Sequence, residues 1–354
     1  MNITSLDSFK KEVNQIREYL KHIQYVNDVV GYSILEEDNE QIKVLLHRLK
    51  EHDRSFRTDQ RVFEYKAAII SLYGLLEKYV ETWIKEYFDS LSSLIYEYNK
   101  IDEKIRNNHF ELSLKLINTI ITRESVKYQH LTKEEVLRKL NNCIFHPNVN
   151  YQINTEAFVI SSGNLKHNKI VDLFKLLNLD LNSELIKNDS LNKEIGLVSN
   201  QIANTEKDIL YNKINDLVER RNQIAHGSET LDILGLSGLE PYIQFLEVYC
   251  QAIFETLVEN IIKQESIHTF QKIEKVVKIF NSKILAFEID NYTLKVGDMV
   301  IIETAEGRFS KKPILEIQLD NIAYQELPIL EKTNISVRVD PKIKDTQIFY
   351  IAKK

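Results

Sequence analysis

The sequence has 354 residues but only nine Gly and five Pro, well under the roughly 7% and 5% of ordinary chains. So few punctuators exclude a many-turned β-sandwich, a disordered linker protein and most Gly-rich phosphate loops. Hydrophobic residues make up 43%, charged residues 28%, and the net charge is −6. This is the balance of a globular protein with one large and one small domain, in which any nucleic-acid contact must come from a local basic cluster.

In chain order, residues 4–30 predict a helix. Leu6, Phe9, Val13, Ile16, Leu20 and Ile23 alternate spacings of three and four, as on a helix docked against its own domain. Gly31 and the acidic run Glu36, Glu37 and Asp38 punctuate, and a second amphipathic helix is expected over 41–49. Residues 61–99 carry the strongest helical signal, apolar on more than one face, as in a core helix touched on several sides. Glu77 lies inside this stretch. It is either exposed or buried against a partner, since an isolated buried carboxylate is costly.

Residues 101–195 read as an irregular insertion or cap. It has helices at 111–121, 133–140 and 169–177, a loop at 145–148 and a short strand at 157–161. Helices over 192–221 and 241–262 follow, the latter with Tyr242, Phe245, Leu246, Tyr249, Ile253 and Leu257 on its apolar stripe. After about Phe280 the pattern becomes short and β-branched, in segments such as ILAFEI, MVIIE and QIFYIA. The expected fold is therefore mainly α, a helical domain over 1–278 followed by a small barrel-like β-domain of five or six strands over 279–354. Acids and bases nearly cancel in this tail.

Cys143 and Cys250 are too few and too far apart for a disulfide framework or a zinc site, so a reducing compartment is expected. The first residues lack a signal-peptide core, and the apolar stretch 67–76 is too short to span a bilayer. A cytoplasmic protein with no membrane partner is expected. No P-loop, GxGxxG, HExxH, CxxC or GxSxG occurs. Glu64-Tyr65-Lys66 has the E-x-K form of a nuclease but falls in a helix, and His47 and His52 have poor ligand spacing. Neither a metal nor a cofactor is expected.

The informative segment is LVERRNQIAHG, residues 217–227. Arg-x4-6-His pairs also occur at Arg17–His22 and Arg123–His130. Only Arg221–His226 has Asn directly after Arg, Ala before His, Gly after His and an apolar helix leading in. Gly227 reads as the residue that stops this helix. On an ideal helix Arg221 and His226 lie about 140° apart, whereas Asn222 and His226 share a face. Arg221 and His226 can meet at one phosphate only if the helix end unwinds or a second chain supplies part of the site.

This segment resembles the R-x4-6-H signature of the HEPN superfamily, in the form seen in RiboL-PSP-type prokaryotic HEPN proteins. The stretch AAIISLYGLLEKYVE, 67–81, resembles their other long core helix. The resemblance implies a helical bundle and a metal-independent endoribonuclease, a toxin or phage-defence effector, with a composite site at a homodimer cleft. In that reading His226 is the acid or base, Arg221 binds and stabilises the phosphate, and Asn222 orients His226 or a phosphate oxygen. Glu77 fixes Arg221, and Arg220 adds a substrate contact. The implied partners are RNA, a second copy, and an antitoxin or defence protein. The alternative is a catalytically silent HEPN-like scaffold or nucleotide- or RNA-binding module.

Overall fold

The computed structural model describes residues 1, 3–31, 39–122, 126–147, 151–160, 163–197, 201, 204–227, 232–340 and 342–353. Glu36, Glu37, Asp38, Arg123, Asn148 and Ser161 of the sequence reading lie outside these residues.

Helix α1 (Ile3–Gly31) buries the predicted stripe Leu6, Phe9, Val13, Leu20 and Ile23. Where two helices were expected, one continuous helix runs, α2 (Glu40–Leu94), 55 residues and about 80 Å long. Its start is set by Asn39, whose side chain accepts from the backbone N–H of Gln41 at 2.9 Å and of Ile42 at 3.3 Å. No Gly or Pro interrupts 40–73, so the charged stretch between the two apolar patterns stays helical. Short of the expected 99, α2 ends at Leu94, and a 3-10 turn follows at Tyr98–Lys100.

The insertion holds α3 (Glu103–Thr122), α4 (Lys133–Phe145), α5 (Thr155–Phe158), α6 (His167–Leu176), α7 (Leu181–Ile186) and α8 (Asp189–Ile195). The expected strand at 157–161 is instead the turn α5. Its Ala157, Phe158 and Val159 are buried on all sides, and an apolar run of that kind does not reveal its own period. The expected helix over 192–221 is also broken. Gly196 closes α8 at φ +78, residues 198–200, 202 and 203 lie outside the described ones, and α9 (Lys207–Leu210) and α10 (Asn212–Ala225) lie further on.

Helix α11 (Leu236–His268) starts earlier than expected and holds Pro241 as its sixth residue, where the bond to the Ser237 carbonyl is lost; the turn before it is closed by the Leu239 N–H on the Gly235 carbonyl at 3.2 Å. It packs along α2. Trp83 meets Phe254 edge-on at 5.4 Å, and the Tyr87 hydroxyl donates to Asn260 at 2.9 Å. Helices α1, α2 and α11 thus enclose one core around Phe9, Trp83 and Leu257, with α10 laid against α2 and α11.

Strands begin at Phe270. Among the described residues they are β1 (Phe270–Lys272), β2 (Lys275–Phe280), β3 (Ile284–Ile289), β4 (Tyr292–Lys295), β5 (Met299–Glu303), β6 (Phe309–Pro313), β7 (Glu316–Leu319), β8 (Ile322–Tyr324), β9 (Glu326–Ile329), β10 (Thr333–Arg338) and β11 (Ile348–Ala352). The expected barrel is not closed. Antiparallel sheets of order β1-β11-β5-β6 and β2-β3-β10-β7-β8, with the pair β4-β9, share one apolar core around Phe287, Ile302, Val337 and Phe349. Closure requires every strand to be hydrogen-bonded on both sides, and β1, β6, β2 and β8 each keep a free edge. The sheets are tied to α11 by polar contacts. Glu259 accepts from Arg308 Nε at 3.0 Å and from the Phe309 N–H at 2.8 Å, and Glu265 pairs with Lys311 at 2.7 Å.

Candidate functional site

Helix α10 buries Ile214, Leu217 and Val218 and presents its polar residues around the remaining arc. Consecutive residues on a helix point about 100° apart, so Arg220 and Arg221 leave α10 in different directions.

Arg220 is engaged by the protein itself. Its Nε donates to Asp216 at 2.6 Å, Nη1 to the Tyr65 hydroxyl at 3.0 Å and to the Asp232 carbonyl at 2.9 Å, and Nη2 to the Asp232 carboxylate at 2.9 Å. Asp216 also accepts from the Tyr242 hydroxyl at 2.5 Å. The group ties α10 to α2, to α11 and to the strand of chain before α11. The structure does not bring Arg220 together with the other candidate residues.

Arg221 lies on the other side, its guanidinium 4.6 Å from the centre of the Tyr73 ring, a cation–π arrangement. Its Nη1 donates to Asn222 Oδ1 at 3.1 Å. The Tyr73 hydroxyl accepts from the Asn164 N–H at 3.0 Å, which holds the ring against the insertion. Burial, then the Glu77 charge, raises the Tyr73 hydroxyl above its ordinary value.

Glu77 sits one turn after Tyr73 on α2 and is half-buried. Burial raises its carboxyl above the ordinary range, and the Glu81 charge adds to this. Lys127 and Arg221 pull the other way. One turn further on, Glu81 is buried and pairs with Lys127. A row Tyr73, Glu77, Glu81 on α2 therefore faces Arg221 and Lys127. Tyr73, Glu81 and Lys127 are absent from the sequence reading. The signal for the two α2 residues was their spacing of four on either side of Glu77; Lys127 had none.

His226 caps α10. Its backbone N–H bonds the Asn222 carbonyl at 2.9 Å, so the helix stays wound to this residue. Gly227 then turns at φ +68, the left-handed conformation that only Gly adopts cheaply, and its N–H reaches the Ile224 carbonyl at 3.2 Å. The His226 side chain is exposed and has no hydrogen-bond partner among the described residues. Arg221, Asn222 and Glu77 are thus gathered on the α2 side, with His226 projecting at the helix end. Among the described residues no three His, Cys, Asp or Glu side chains gather as metal ligands, and no helix is long and apolar enough to cross a membrane.

No curated protein matches this sequence. The RiboL-PSP-HEPN family model matches residues 33–259, well over half of the chain, a span that takes in α2, the insertion, α10 and most of α11. With Arg221 and His226 at the end of α10 and the Tyr73–Glu77 row of α2 facing it, the chain belongs to the RiboL-PSP-HEPN family and carries a HEPN-type domain.

Proposed function

We propose that the protein is a metal-independent endoribonuclease, acting as a toxin or defence effector in the cytoplasm. The observation that carries this reading is the pairing of a held arginine with an accessible histidine. Arg221 is positioned by Tyr73 and Asn222 in the field of Glu77, while His226 stands exposed at the end of the same helix.

In the proposed reaction the RNA 2′-oxygen attacks its adjacent phosphorus. The O2′–P bond forms, the P–O5′ bond breaks, and a 2′,3′-cyclic phosphate and a 5′-hydroxyl result. His226 removes the 2′-OH proton or gives a proton to the leaving O5′, help typically worth about 10² to 10⁴-fold. Arg221 holds the phosphate through its planar fork and stabilises the charge that builds on it. Glu77 acts through Arg221 as a positioning residue.

Because the helix end stays wound, Arg221 and His226 of one copy point about 140° apart. A second copy placed by two-fold symmetry supplies what one chain lacks. The outer face of α2 offers it a seat. Phe56, Phe63 and Ile70, seven apart, are 40%, 67% and 50% exposed. On α2, Ile70 lies about 60° around from Tyr73, so a copy docked on this face brings the two sites side by side.

The test is incubation of purified protein with total RNA, wild type against His226→Ala, with and without a chelator. The reading predicts cleavage that survives chelation, leaves cyclic phosphate ends and disappears in the variant. Cleavage that His226→Ala does not diminish, or that stops with chelator, sinks it. A protein that binds RNA without cutting it is the silent module.

A further inference from the structure

The chain is acidic overall, but α2 begins with a basic row. Lys43, His47, Lys50, Arg54, Arg57 and Arg61 recur at spacings of four and three. On an ideal helix they fall within an arc of about 80° and extend over about 27 Å. Glu40, Glu51, Asp53 and Asp59, the acids of this stretch, fall outside that arc. Between residues 40 and 62 only Leu46 and Asp53 are buried, so the stretch stands largely clear of the bundle.

Lys43 pairs with Glu40 at 2.9 Å and His47 approaches Glu51 at 3.2 Å, so the open charge lies in the later half of the row. Arg54 and Arg61 have no acidic partner within 4 Å among the described residues, and Arg57 approaches Asp53 only at 3.8 Å. From Tyr65 onward the same face of α2 becomes apolar core, through Ala68, Leu72 and Leu76. The row therefore faces the end of the bundle. There a cavity of about 440 Å³ is lined by Arg57, Arg61, Gln24, Asn27 and Gln60, by Glu64, which accepts from the Gln60 amide at 2.6 Å, and by Tyr65, whose hydroxyl receives Arg220 of the motif helix.

We propose that this row and cavity are a binding track for single-stranded RNA. The row is one side chain wide, and over Lys50, Arg54, Arg57 and Arg61 it sets a cation about every 5 Å, a positive line of the kind that tracks a single-strand backbone. The amides of Gln24, Asn27 and Gln60 donate and accept, as unpaired base edges and 2′-hydroxyls require, and a duplex hides those base edges. The destination of the strand, at Arg221 and His226, rests on the ribonuclease reading; the binding itself does not.

The experiment measures binding apart from cleavage. A 2′-O-methyl 20-nucleotide single strand has no attacking hydroxyl, and its affinity for the full-length protein is read by fluorescence anisotropy across a salt series. The triple variant Arg54→Gln, Arg57→Gln, Arg61→Gln should bind at least tenfold more weakly. Its slope of log affinity against log salt should fall by about 2, as expected for three lost phosphate contacts. The charge-matched variant Lys272→Gln, Lys275→Gln, Lys278→Gln in the β-sheets should bind as wild type does. Unchanged binding in the arginine variant, or an equal loss in the lysine variant, overturns the track. Row-dependent binding to phosphatidylserine vesicles without row-dependent RNA binding overturns it as well. Row-dependent RNA binding with no cleavage of an unmodified strand supports the track and refutes the ribonuclease reading.

Discussion

His109 and His167 are fully buried in the helical region, and the proposed chemistry uses neither. The Asn154 N–H donates to His109 Nε2 at 3.0 Å, so the ring is neutral with its proton on Nδ1, toward the Tyr98 hydroxyl at 2.8 Å. His167 contacts the Tyr249 hydroxyl and Asn182 Oδ1, each at 2.8 Å, and stacks on Tyr211 at 3.8 Å. Burial lowers both imidazoles from 6.5 to about 4. Between those values the unfolded chain binds more protons than the folded one. Stability is therefore fully present above about pH 6.5 and is lost as pH falls toward 4. The gap amounts to about 3 kcal/mol per histidine in full, and about 2 kcal/mol each at pH 5. The pair should lower the melting temperature by on the order of 10 °C between pH 7.5 and pH 5. Circular dichroism melts across that range measure it, with His109→Gln and His167→Gln each expected to flatten the slope by about half. A melting temperature independent of pH, or a drop that survives both substitutions together, would refute the argument. The same melts separate acid unfolding from any pH dependence of RNA cleavage itself.

The two adjacent arginines should separate stability from activity. Arg220→Ala removes four hydrogen bonds, to Asp216, Tyr65 and two atoms of Asp232, and with both carboxylates exposed should cost about 1–3 kcal/mol in a denaturant titration. Arg221→Ala loses one side-chain bond and a ring contact, so it should cost under about 1 kcal/mol and abolish RNA cleavage. Glu77→Gln removes a carboxyl that burial and Glu81 already disfavour in its charged form, so the melting temperature at pH 7.5 should hold or rise while cleavage falls. A lower melting temperature would show that Glu77 is structural. Gly227→Ala meets no atom within 4 Å but keeps φ +68. It should cost about 1 kcal/mol and shift His226, read as a loss of kcat out of proportion to the change in melting.

The helical periods of α1, α2 and α11 were legible in the sequence because each buries a stripe at 3.6-residue spacing against a neighbour. The local cue at the motif was legible too. Gly directly after His226 implies a left-handed stop, and Gly227 sits at φ +68. The joining of residues 41–49 and 61–99 into one helix was not, because the linking residues, exposed on nearly every side, carry no apolar period. The buried run at 157–159 showed no period for the opposite reason, since its residues pack on every side. What tertiary structure alone decided is the division of labour within Arg220-Arg221. The sequence makes them equivalent neighbours. The 100° between them turns Arg220 into the Asp216–Asp232–Tyr65 network and Arg221 onto Tyr73 beside Glu77, about two turns further along α2.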